Sequence, residues 1–354
     1  MRALPTPSEL DRARWRGQRG HYEAWYLTLH DPGSGRGFWF RWTLHAPRDA
    51  SRPVEAGLWA VSFEPGGGGA AGRDVYPAAR FHADPGPGGL RLVLGPGALG
   101  PDLARGEVGA GAERLAWDLR FSHPAGRSAH VHPALFALGL AGTCATSPAL
   151  QVAVSGVIEV GGRRLELREV PGERGHVWGR RHAWSWAWAH AQSFDGRPAC
   201  AFDGVSARVR ALGRALPPGT PLHLQLEGRD LVWNEPWALW SPESRWELGR
   251  WEFTARRGDL ELRGRAEAPP EAFVAVEYED PGGRRLWCHH AEQADLELEL
   301  RRGGEIVERL AARGSAALEI AGPEPDLRVT RRLPLEAGRS VDDRAAFPRR
   351  GSLE

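Results

Sequence analysis

Apolar and polar residues alternate at every second position along much of the chain, whereas helical periodicity is scarce. Three pairs of alternating segments flank short turns rich in glycine, which predicts three β-hairpins. The similarity of the first and last of these pairs suggests an internal duplication. The predicted strand pairs are residues 24–30 with 37–45, 155–160 with 163–170, and 273–279 with 284–290.

Glycine and proline are concentrated in residues 64–72 and 84–100, which predicts loops there, and a short helix is predicted within residues 208–219. Many short strands with so few helices indicate closed or sandwiched antiparallel sheets, so the fold class is all-β. We expect an N-terminal segment at 1–20, an N-terminal domain at 21–155, a C-terminal domain at 156–335 and a polar tail at 336–354.

Composition excludes several classes of protein. All 46 basic residues are arginines, which rules out lysine Schiff-base enzymes and P-loop proteins, and 45 acidic residues balance them, which argues against a nucleic-acid partner. No stretch approaches the roughly 20 apolar residues of a membrane-spanning helix. Residues 1–16 lack the apolar core of a signal peptide, so we expect a cytoplasmic protein. Contact with a membrane surface and the oligomeric state stay open.

The three cysteines, Cys144, Cys200 and Cys288, are too far apart for a metal-binding motif and odd in number. We expect them to be buried, reduced thiols. Tryptophan is the anomaly of the composition, with 16 residues against four tyrosines, and nine of the 16 fall between Trp178 and Trp251. This density predicts an aromatic core or an aromatic-lined pocket.

The most informative segment is a row of indoles at every second position. In a strand, alternate residues lie on opposite faces, so one face carries the indoles and two polar groups while the other is small. Two interpretations stay open: the indoles fill a barrel core, or they line a cavity for a large apolar ligand. The residues of the row are Trp184, Trp186, Trp188, His190 and Gln192.

A second aromatic strand covers residues 38–43. Alternation places Phe38, Phe40 and Trp42 on one face and Trp39, Arg41, Thr43 and His45 on the other. A buried arginine needs a carboxylate partner, and Glu23 on the preceding strand is the candidate. We therefore expect a buried Glu23–Arg41 ion pair, and include Trp39 with this pair among the ligand-contacting candidates.

Several aromatic motifs resemble those of one protein family. The opening His21-Tyr22-Glu23-Ala24-Trp25-Tyr26 is similar to the start of tocopherol cyclases, and the family's tryptophan signature is resembled by Val177-Trp178-Gly179, the run 184–188 and Phe194. Trp287-Cys288-His289-His290 followed by residues 294–300 resembles the closing strand. Together these residues indicate the tocopherol cyclase-like and carotenoid 1,2-hydratase-like (AttH-type) double-lipocalin family.

This resemblance implies two lipocalin-like antiparallel β-barrels in tandem, calycin-like and with few short helices, which bind a hydrophobic ligand inside. The chain has Gly175-His176-Val177 where tocopherol cyclases carry an acidic and basic pair, which argues against tocopherol cyclisation itself. The spacing of His176 and Trp178 is closer to that of the hydratases. The resemblance also implies that Asp203 is the downstream aspartate that protonates an alkene.

Acid catalysis on an isoprenoid needs a proton donor and aromatic faces that stabilise the resulting cation. A carboxylic acid in an apolar cavity stays protonated near neutral pH, so Asp203 is the candidate acid, with His176 and His190 to orient or relay the proton. Asp195 lies in a predicted turn and is set aside. We predict no metal site at His130-x-His132 or at His289-His290, and no cofactor.

The sequence therefore supports three hypotheses. The chain is a cofactor-free hydratase, cyclase or isomerase that acts on an isoprenoid-like or polyketide-like apolar substrate, or it is a non-catalytic carrier of such a hydrophobic small molecule. In the third hypothesis both barrels are filled and the chain is a structural module. The predicted catalytic residues are Asp203, His176 and His190, and the predicted ligand-contacting residues are Trp178, Trp184, Trp186, Trp188, Gln192, Trp39, Arg41 and Glu23.

Overall fold

The computed structural model describes residues 5–86, 89–131, 142–211, 214–235, 239–240 and 242–341. The first half of the chain contains the helix α1 (Pro7–Leu10) and the strands β1 (His21–Asp31), β2 (Arg36–Ala46), β3 (Glu55–Phe63), β4 (Ala71–Pro77), β5 (Phe81–Gly86), β6 (Gly89–Leu94), β7 (Gly97–Leu99), β8 (Leu103–Val108), β9 (Leu115–Ala125), β10 (Ser128–Ala129), β11 (Thr143–Val160) and β12 (Arg163–Gly179).

The second half contains the strands β13 (Ser185–Ala191), β14 (Ala201–Arg208), β15 (Arg210–Ala211), β16 (Arg214–Ala215), β17 (Leu222–Leu226), β18 (Arg229–Trp233), β19 (Glu243–Glu247), β20 (Arg250–Arg257), β21 (Leu260–Glu267), β22 (Val274–Glu279), β23 (Arg285–Arg302), β24 (Glu305–Gly322), β25 (Arg332–Leu333) and β26 (Arg339–Ser340). Short 3-10 turns lie at Ala78–Arg80, Gly111–Glu113, Pro270–Ala272 and Leu335–Ala337.

The predicted all-β class is confirmed. Over the described ranges the strands form a 13-stranded sheet of β1–β12 with β26, an 11-stranded sheet of β13, β14 and β17–β25, and the small β15–β16 pair. Pairing is antiparallel apart from the short parallel pairs β4–β26 and β22–β25. All three predicted hairpins are present, and the one that turns at Gly161-Gly162 is much longer than predicted.

Each large sheet curls around its own apolar core. Strands far apart in sheet order, such as β3 and β8 in the first sheet and β18 and β20 in the second, contact each other. Apolar side chains from one face of each sheet fill the inside of the curl, among them Trp42 and Trp117 in the first sheet and Trp251 and Phe253 in the second. The opposite faces pack together in a third cluster between the sheets.

The two sheets repeat one strand order. The sequence β1–β12–β11–β9–β8 in the first sheet matches β13–β24–β23–β21–β20 in the second. The internal duplication is therefore visible in the topology. The hairpins that correspond in the two sheets are β11–β12 and β23–β24. The first and last predicted hairpins have similar turns but do not correspond.

Three details differ from the sequence-based expectation. The chain passes from the first to the second sheet between Gly179 and Ser185, whereas the expected domain boundary at 155–156 falls within β11. The described part of residues 208–219 carries the β15–β16 pair where a helix was predicted. The tail expected to start at 336 begins with ordered residues, because Arg339 pairs with Asp74 and β26 adds to β4.

All three cysteines are buried and free, as predicted. In the described ranges no helix has the length and apolar character needed to cross a membrane.

Candidate functional site

The indole row lies between the two sheets and not inside either barrel. The alternation predicted for β13 is confirmed: Ala187, Ala189 and Ala191 belong to the core of the second sheet, while Trp186 and Trp188 lie on the opposite face, against the first sheet. Trp184 precedes the strand, and the guanidinium of Arg210 lies 3.8 Å above its ring. The small face therefore packs inward, and the indoles of Trp186 and Trp188 face the interface.

The first sheet offers an aromatic surface to this row. Tyr26 on β1 contacts Trp188 edge-on, with ring centroids 6.1 Å apart. Its ring lies over Gly175 of β12, where a Cβ atom would come within 1.8 Å of the tyrosine Cζ. Directly opposite Tyr26 on β2 is Arg41. Gly175 is thus required for the position of the Tyr26 ring.

Two buried carboxyl groups meet beside Trp188. The Ser147 hydroxyl donates to Glu173 Oε1 at 2.5 Å and lies 3.5 Å from Asp203 Oδ2. Asp203 also accepts from the Trp188 indole N–H at 2.9 Å and contacts His130 Nε2 at 2.9 Å. Glu173 comes from the first sheet and Asp203 from the second, so the site forms only where the two sheets pack together.

The two carboxyl groups differ in protonation. Burial, reinforced by the charge of Asp203, raises the pKa of Glu173 well above its ordinary value. Burial also acts to raise the pKa of Asp203, but the charge and hydrogen bond of His130 outweigh it and lower that pKa. These opposite shifts favour one proton on the pair at neutral pH, held by Glu173.

The geometry of His190 supports the same assignment. Burial lowers the pKa of His190 to about 4, so the ring is neutral at neutral pH. Its Nε2 lies 3.2 Å from the Leu150 carbonyl and donates to it, which leaves a lone pair on Nδ1. That lone pair faces Glu173 Oε2 at 3.5 Å. An ionised Oε2 would face it unfavourably, whereas a protonated Oε2 can donate to it.

Partly exposed apolar side chains surround this pair of acids. Val205 lies beside Trp188 in the β13–β14 register, and the Trp188 ring contacts Tyr26. Tyr26, Trp186, Val177 and Val205 retain partial exposure, in contrast to the buried carboxyl groups. An apolar molecule that covers these side chains would lie next to Glu173 and Asp203.

His176 lies elsewhere, on the inner side of the first sheet. Its Nδ1 donates to the Leu10 carbonyl and its Nε2 contacts Glu23 Oε1, while the Trp25 and Trp178 rings both stack on the imidazole. The structure therefore separates His176 and Trp178 from Asp203, although all three were predicted to share one site.

The expected Glu23–Arg41 ion pair does not form. Both Glu23 oxygens are occupied on the inner face, where they accept from the backbone N–H groups of Arg14 and Trp15 and contact His21 and His176. Alternation explains the error, because Glu23 and Arg41 point to opposite faces of the sheet. Glu23 anchors the N-terminal segment.

A second buried titratable cluster lies further along the interface. His290 contacts Glu292 Oε1 at 2.7 Å and Glu319 Oε1 at 3.0 Å, and Glu319 accepts from the Trp186 indole N–H. Burial acts to lower the pKa of His290, but the two carboxylates raise it to about 9. The predicted ligand-contacting residue Trp39 covers His290, with ring centroids 5.1 Å apart.

Gln192, the last residue of the predicted row, joins the two sheets. Its side-chain amide donates to the hydroxyl of Thr28 on β1 at 3.1 Å, and its backbone carbonyl accepts from Gln151. His132 lies outside the described residues, and His289 points away from the interface, where its Nδ1 donates to the Ile320 carbonyl.

The same acidic site could hold a metal ion. One ligand atom each of Glu173, His190 and Asp203 lie within 4.8 Å of one another. Hydrogen-bond donors already contact this set, because the Trp188 N–H and His130 Nε2 contact Asp203 and the Ser147 hydroxyl donates to Glu173. These contacts fit a pair of carboxyl groups that shares a proton.

Glu173 is the site residue that sequence reasoning missed. It lies in a polar stretch of β12, Gly172-Glu173-Arg174-Gly175, which looks like an exposed strand end. The flanking glycines were the available signal that this stretch is closely packed, since Gly175 makes room for the Tyr26 ring.

Comparison with known proteins agrees with these motifs. Residues 147–322, which include Ser147, Glu173, His190 and Asp203, match the family model described as tocopherol cyclase-like. An uncharacterized protein of Mycobacterium tuberculosis, found in strains ATCC 25618 / H37Rv and CDC 1551 / Oshkosh, is 29% identical over 299 residues, which cover 81% of this chain and 83% of that protein.

One solved structure shares the architecture. A crystal structure described as an AttH candidate from Nitrosomonas europaea superposes with a TM-score of 0.54 at 15% identity and covers 90% of this chain and 97% of that one. Kievitone hydratase from Nectria haematococca is more distant, with a TM-score of 0.44 at 8% identity over 85% of this chain and 89% of that one. Residues 147–322 are therefore similar to tocopherol cyclase-like proteins, and the chain has the AttH-type double lipocalin-like fold, as its aromatic motifs predicted.

Proposed function

We propose that the chain is an acid-catalysing enzyme of the hydratase, cyclase or isomerase kind, acting on an apolar unsaturated substrate between its two barrels. One observation carries the proposal: the fully buried carboxyl groups of Glu173 and Asp203 meet at the Ser147 hydroxyl beside the Trp188 indole, and the pKa of Glu173 is raised while that of Asp203 is lowered. This assigns the acid role to Glu173. Asp203, the acid predicted from the resemblance, takes the role of the charged partner.

In the proposed reaction the Glu173 carboxyl transfers its proton to one alkene carbon, and the π electrons form the new C–H bond. The cation that remains on the other carbon faces the indole of Trp188 and the phenol ring of Tyr26, and the negative charge of Asp203 stabilises it. Asp203 keeps this charge because His130 and Trp188 hold its oxygens.

Two outcomes restore the proton balance. In hydration, a water oxygen bonds to the cation, and the proton that it releases returns to the Glu173 carboxylate. In cyclisation or isomerisation, loss of a proton from a neighbouring carbon regenerates both an alkene and the acid. His190 Nδ1, 3.5 Å from Glu173 Oε2, is placed to pass a proton in either case. Each step uses side chains of the chain and no cofactor.

The substrate class follows from what lines the interface. Apolar side chains fill the inside of both curled sheets, whereas partly exposed Tyr26, Val177, Trp186 and Val205 lie next to the acids. These side chains favour an isoprenoid-like or polyketide-like chain without polar groups near its reacting double bond. The ligand site is therefore proposed at the interface, and not inside a barrel. The three buried, unpaired thiols fit a reducing compartment such as the cytoplasm.

Isotope incorporation tests the proposal. Purified protein is incubated in D₂O with geraniol, farnesol, geranylgeraniol and a prenylated quinone, and the recovered lipids are analysed by mass spectrometry. We expect deuterium on carbon with the wild type and none with Glu173→Gln. Tryptophan quenching by a probe without deuterium incorporation would identify a carrier, and neither signal with any probe would contradict both functions.

A further inference from the structure

A separate cavity lies between the sheets, near Arg41. It has a volume of about 370 Å³, within the range of small-molecule sites. Strands β1 and β2, the strand β22 and residues 335–340 border it. Its aromatic lining is contributed by both sheets, from Tyr22, Trp59, His182 and Tyr278.

Arg41 is the unusual group in this lining. The residue is 9% exposed, and its Nε has no hydrogen-bond partner. The guanidinium lies over the Tyr278 ring at 4.4 Å and near the Trp39 ring at 5.6 Å. Among the described residues no carboxylate comes within ion-pair distance of it. A buried guanidinium without an anionic partner is costly, which indicates a place for an anion.

The nearest acids are already occupied. The charge of Arg41 acts on Glu319, but one oxygen of Glu319 contacts His290 and the other accepts from Trp186. Glu23 is among the residues that line the cavity, but its carboxylate lies on the other face of the sheet. There it accepts from the backbone of the N-terminal segment.

The other charges of the lining largely cancel. Arg52 pairs with Glu279, and Arg285 pairs with Glu336. Arg73 lies over the Trp59 ring and donates to the Leu335 carbonyl, and the charge of Glu55 acts on it.

The histidines of the lining do not compete for an anion. Burial, assisted by the charges of Arg41 and Arg284, lowers the pKa of His182 well below its ordinary value. Burial also lowers the pKa of His45. Both rings are neutral at neutral pH, so Arg41 is left as the cation of the lining that has neither a carboxylate nor a carbonyl partner among the described residues.

We propose that this cavity binds a carboxylate carried on an aromatic or conjugated body. Arg41 donates to the carboxylate oxygens, and the body lies against the rings of Tyr22, His182 and Tyr278. One planar guanidinium matches one carboxylate, whereas a phosphate dianion calls for more donors than Arg41 alone offers. The proposal does not rest on the chemistry of Glu173.

Calorimetric titration of the full chain provides the test, with 2-naphthoate, the neutral isostere 2-naphthamide and 2-naphthyl phosphate as probes. We expect 2-naphthoate to bind at least about tenfold more tightly than 2-naphthamide, the size of one charge-assisted hydrogen-bonded pair. Equal affinity of these two probes, or no binding of 2-naphthoate, overturns the proposal. Preference for the phosphate overturns the assignment of a carboxylate.

Variants then locate the contact. We expect Arg41→Gln to remove the preference for 2-naphthoate and Arg41→Lys to keep part of it. Arg52→Gln is the matched control, because Arg52 lines the same cavity but is paired with Glu279, and it should bind 2-naphthoate as the wild type does. Unchanged binding by Arg41→Gln contradicts the proposed contact. If Arg41→Gln fails to fold, the comparison of Arg41→Lys with the wild type decides. The proposal is overturned if Arg41→Lys binds 2-naphthoate with unchanged affinity and 2-naphthamide competes fully for the site.

Discussion

Glu173 on β12 and Asp203 on β14 belong to different sheets, yet both approach the hydroxyl of Ser147, at 2.5 and 3.5 Å. One proton shared between two buried carboxyl groups gives an acid that stays protonated at neutral pH beside a permanent negative charge. Since each sheet supplies one carboxyl group, any chemistry of this pair depends on the packing of the two barrels against each other.

Glu173→Gln removes the proposed proton and keeps the shape of the side chain. We expect turnover to fall by about 10²–10⁴-fold, the usual contribution of general acid catalysis, with little loss of stability because an amide resembles the neutral carboxyl. Product formation and thermal unfolding measure the two effects. Glu292→Gln is the matched control, a buried carboxyl at the same interface that should keep turnover. Equal losses in both variants would contradict the assignment.

Asp203→Asn removes the charge that raises the pKa of Glu173. The pKa of Glu173 then falls, so the alkaline limb of the rate profile, where the acid loses its proton, should move to lower pH by about 1 unit or more. The amide oxygen can still accept from Trp188, which preserves the fold. The pH dependence of kcat measures the shift, and an unmoved limb would show that the two groups do not interact.

Much of the fold was predictable from the sequence because alternation and turn chemistry act locally. The hairpin turn at residues 31–35, the glycine turn at 161–162 and the two faces of β13 follow from neighbouring residues alone. Alternation separates Trp188 from Ala189, but it does not tell which face turns inward when both are buried. The indole row therefore faces the other sheet, which the sequence pattern does not reveal.

The candidate site was only half predictable, for the same reason. Two adjacent strands of one sheet carry Asp203, His190 and Trp188. These residues are near one another in the sequence, so they could be assigned to one site. Glu173 reaches them across the interface. His176 does not, because its side chain lies on the opposite face of β12 from Glu173. Long-range packing decides such pairs, and local periodicity carries no information about it.

Glu23→Gln should destabilise the protein by about 3 kcal/mol at neutral pH. Burial acts to raise the pKa of Glu23, but hydrogen bonds from His176, His21 and the backbone outweigh it and lower the pKa to about 2. A lowered pKa stabilises the fold above the unfolded value of 4.5, and this stability is lost as the pH falls toward 2.

Chemical denaturation between pH 7 and pH 2 checks this prediction. The wild type should lose stability steeply below pH 4.5, and the variant should lose less over the same interval. Glu55→Gln, a partly buried glutamate of the same sheet without this set of donors, provides the control. Parallel curves for the wild type and Glu23→Gln would refute the role of Glu23 as an anchor.

His290 should make the protein less stable at alkaline pH. Its pKa is raised from 6.5 to about 9, so it stabilises the fold fully below pH 6.5 and this contribution is lost as the pH rises through 9. The shift corresponds to roughly 3 kcal/mol. His290→Gln should flatten the decline of unfolding free energy between pH 6.5 and 9, while the neighbour variant His289→Gln should retain it. A wild type whose stability is constant over this interval would exclude the effect.

Gly175→Ala tests whether the position of Tyr26 matters for function. The backbone conformation at Gly175 does not require glycine. A Cβ atom there would clash, however, since it would lie 1.8 Å from the Tyr26 Cζ. The ring must move away from Trp188, and we expect a stability loss of about 1–3 kcal/mol together with reduced turnover. Gly322→Ala is the control, since its Cβ would meet nothing within 4 Å. A double variant, Gly175→Ala with Tyr26→Ala, removes the clash and should be no less stable than Tyr26→Ala alone, and it should not recover turnover because the ring that faces the cation is absent. Recovery of turnover would show that Tyr26 contributes nothing to the reaction.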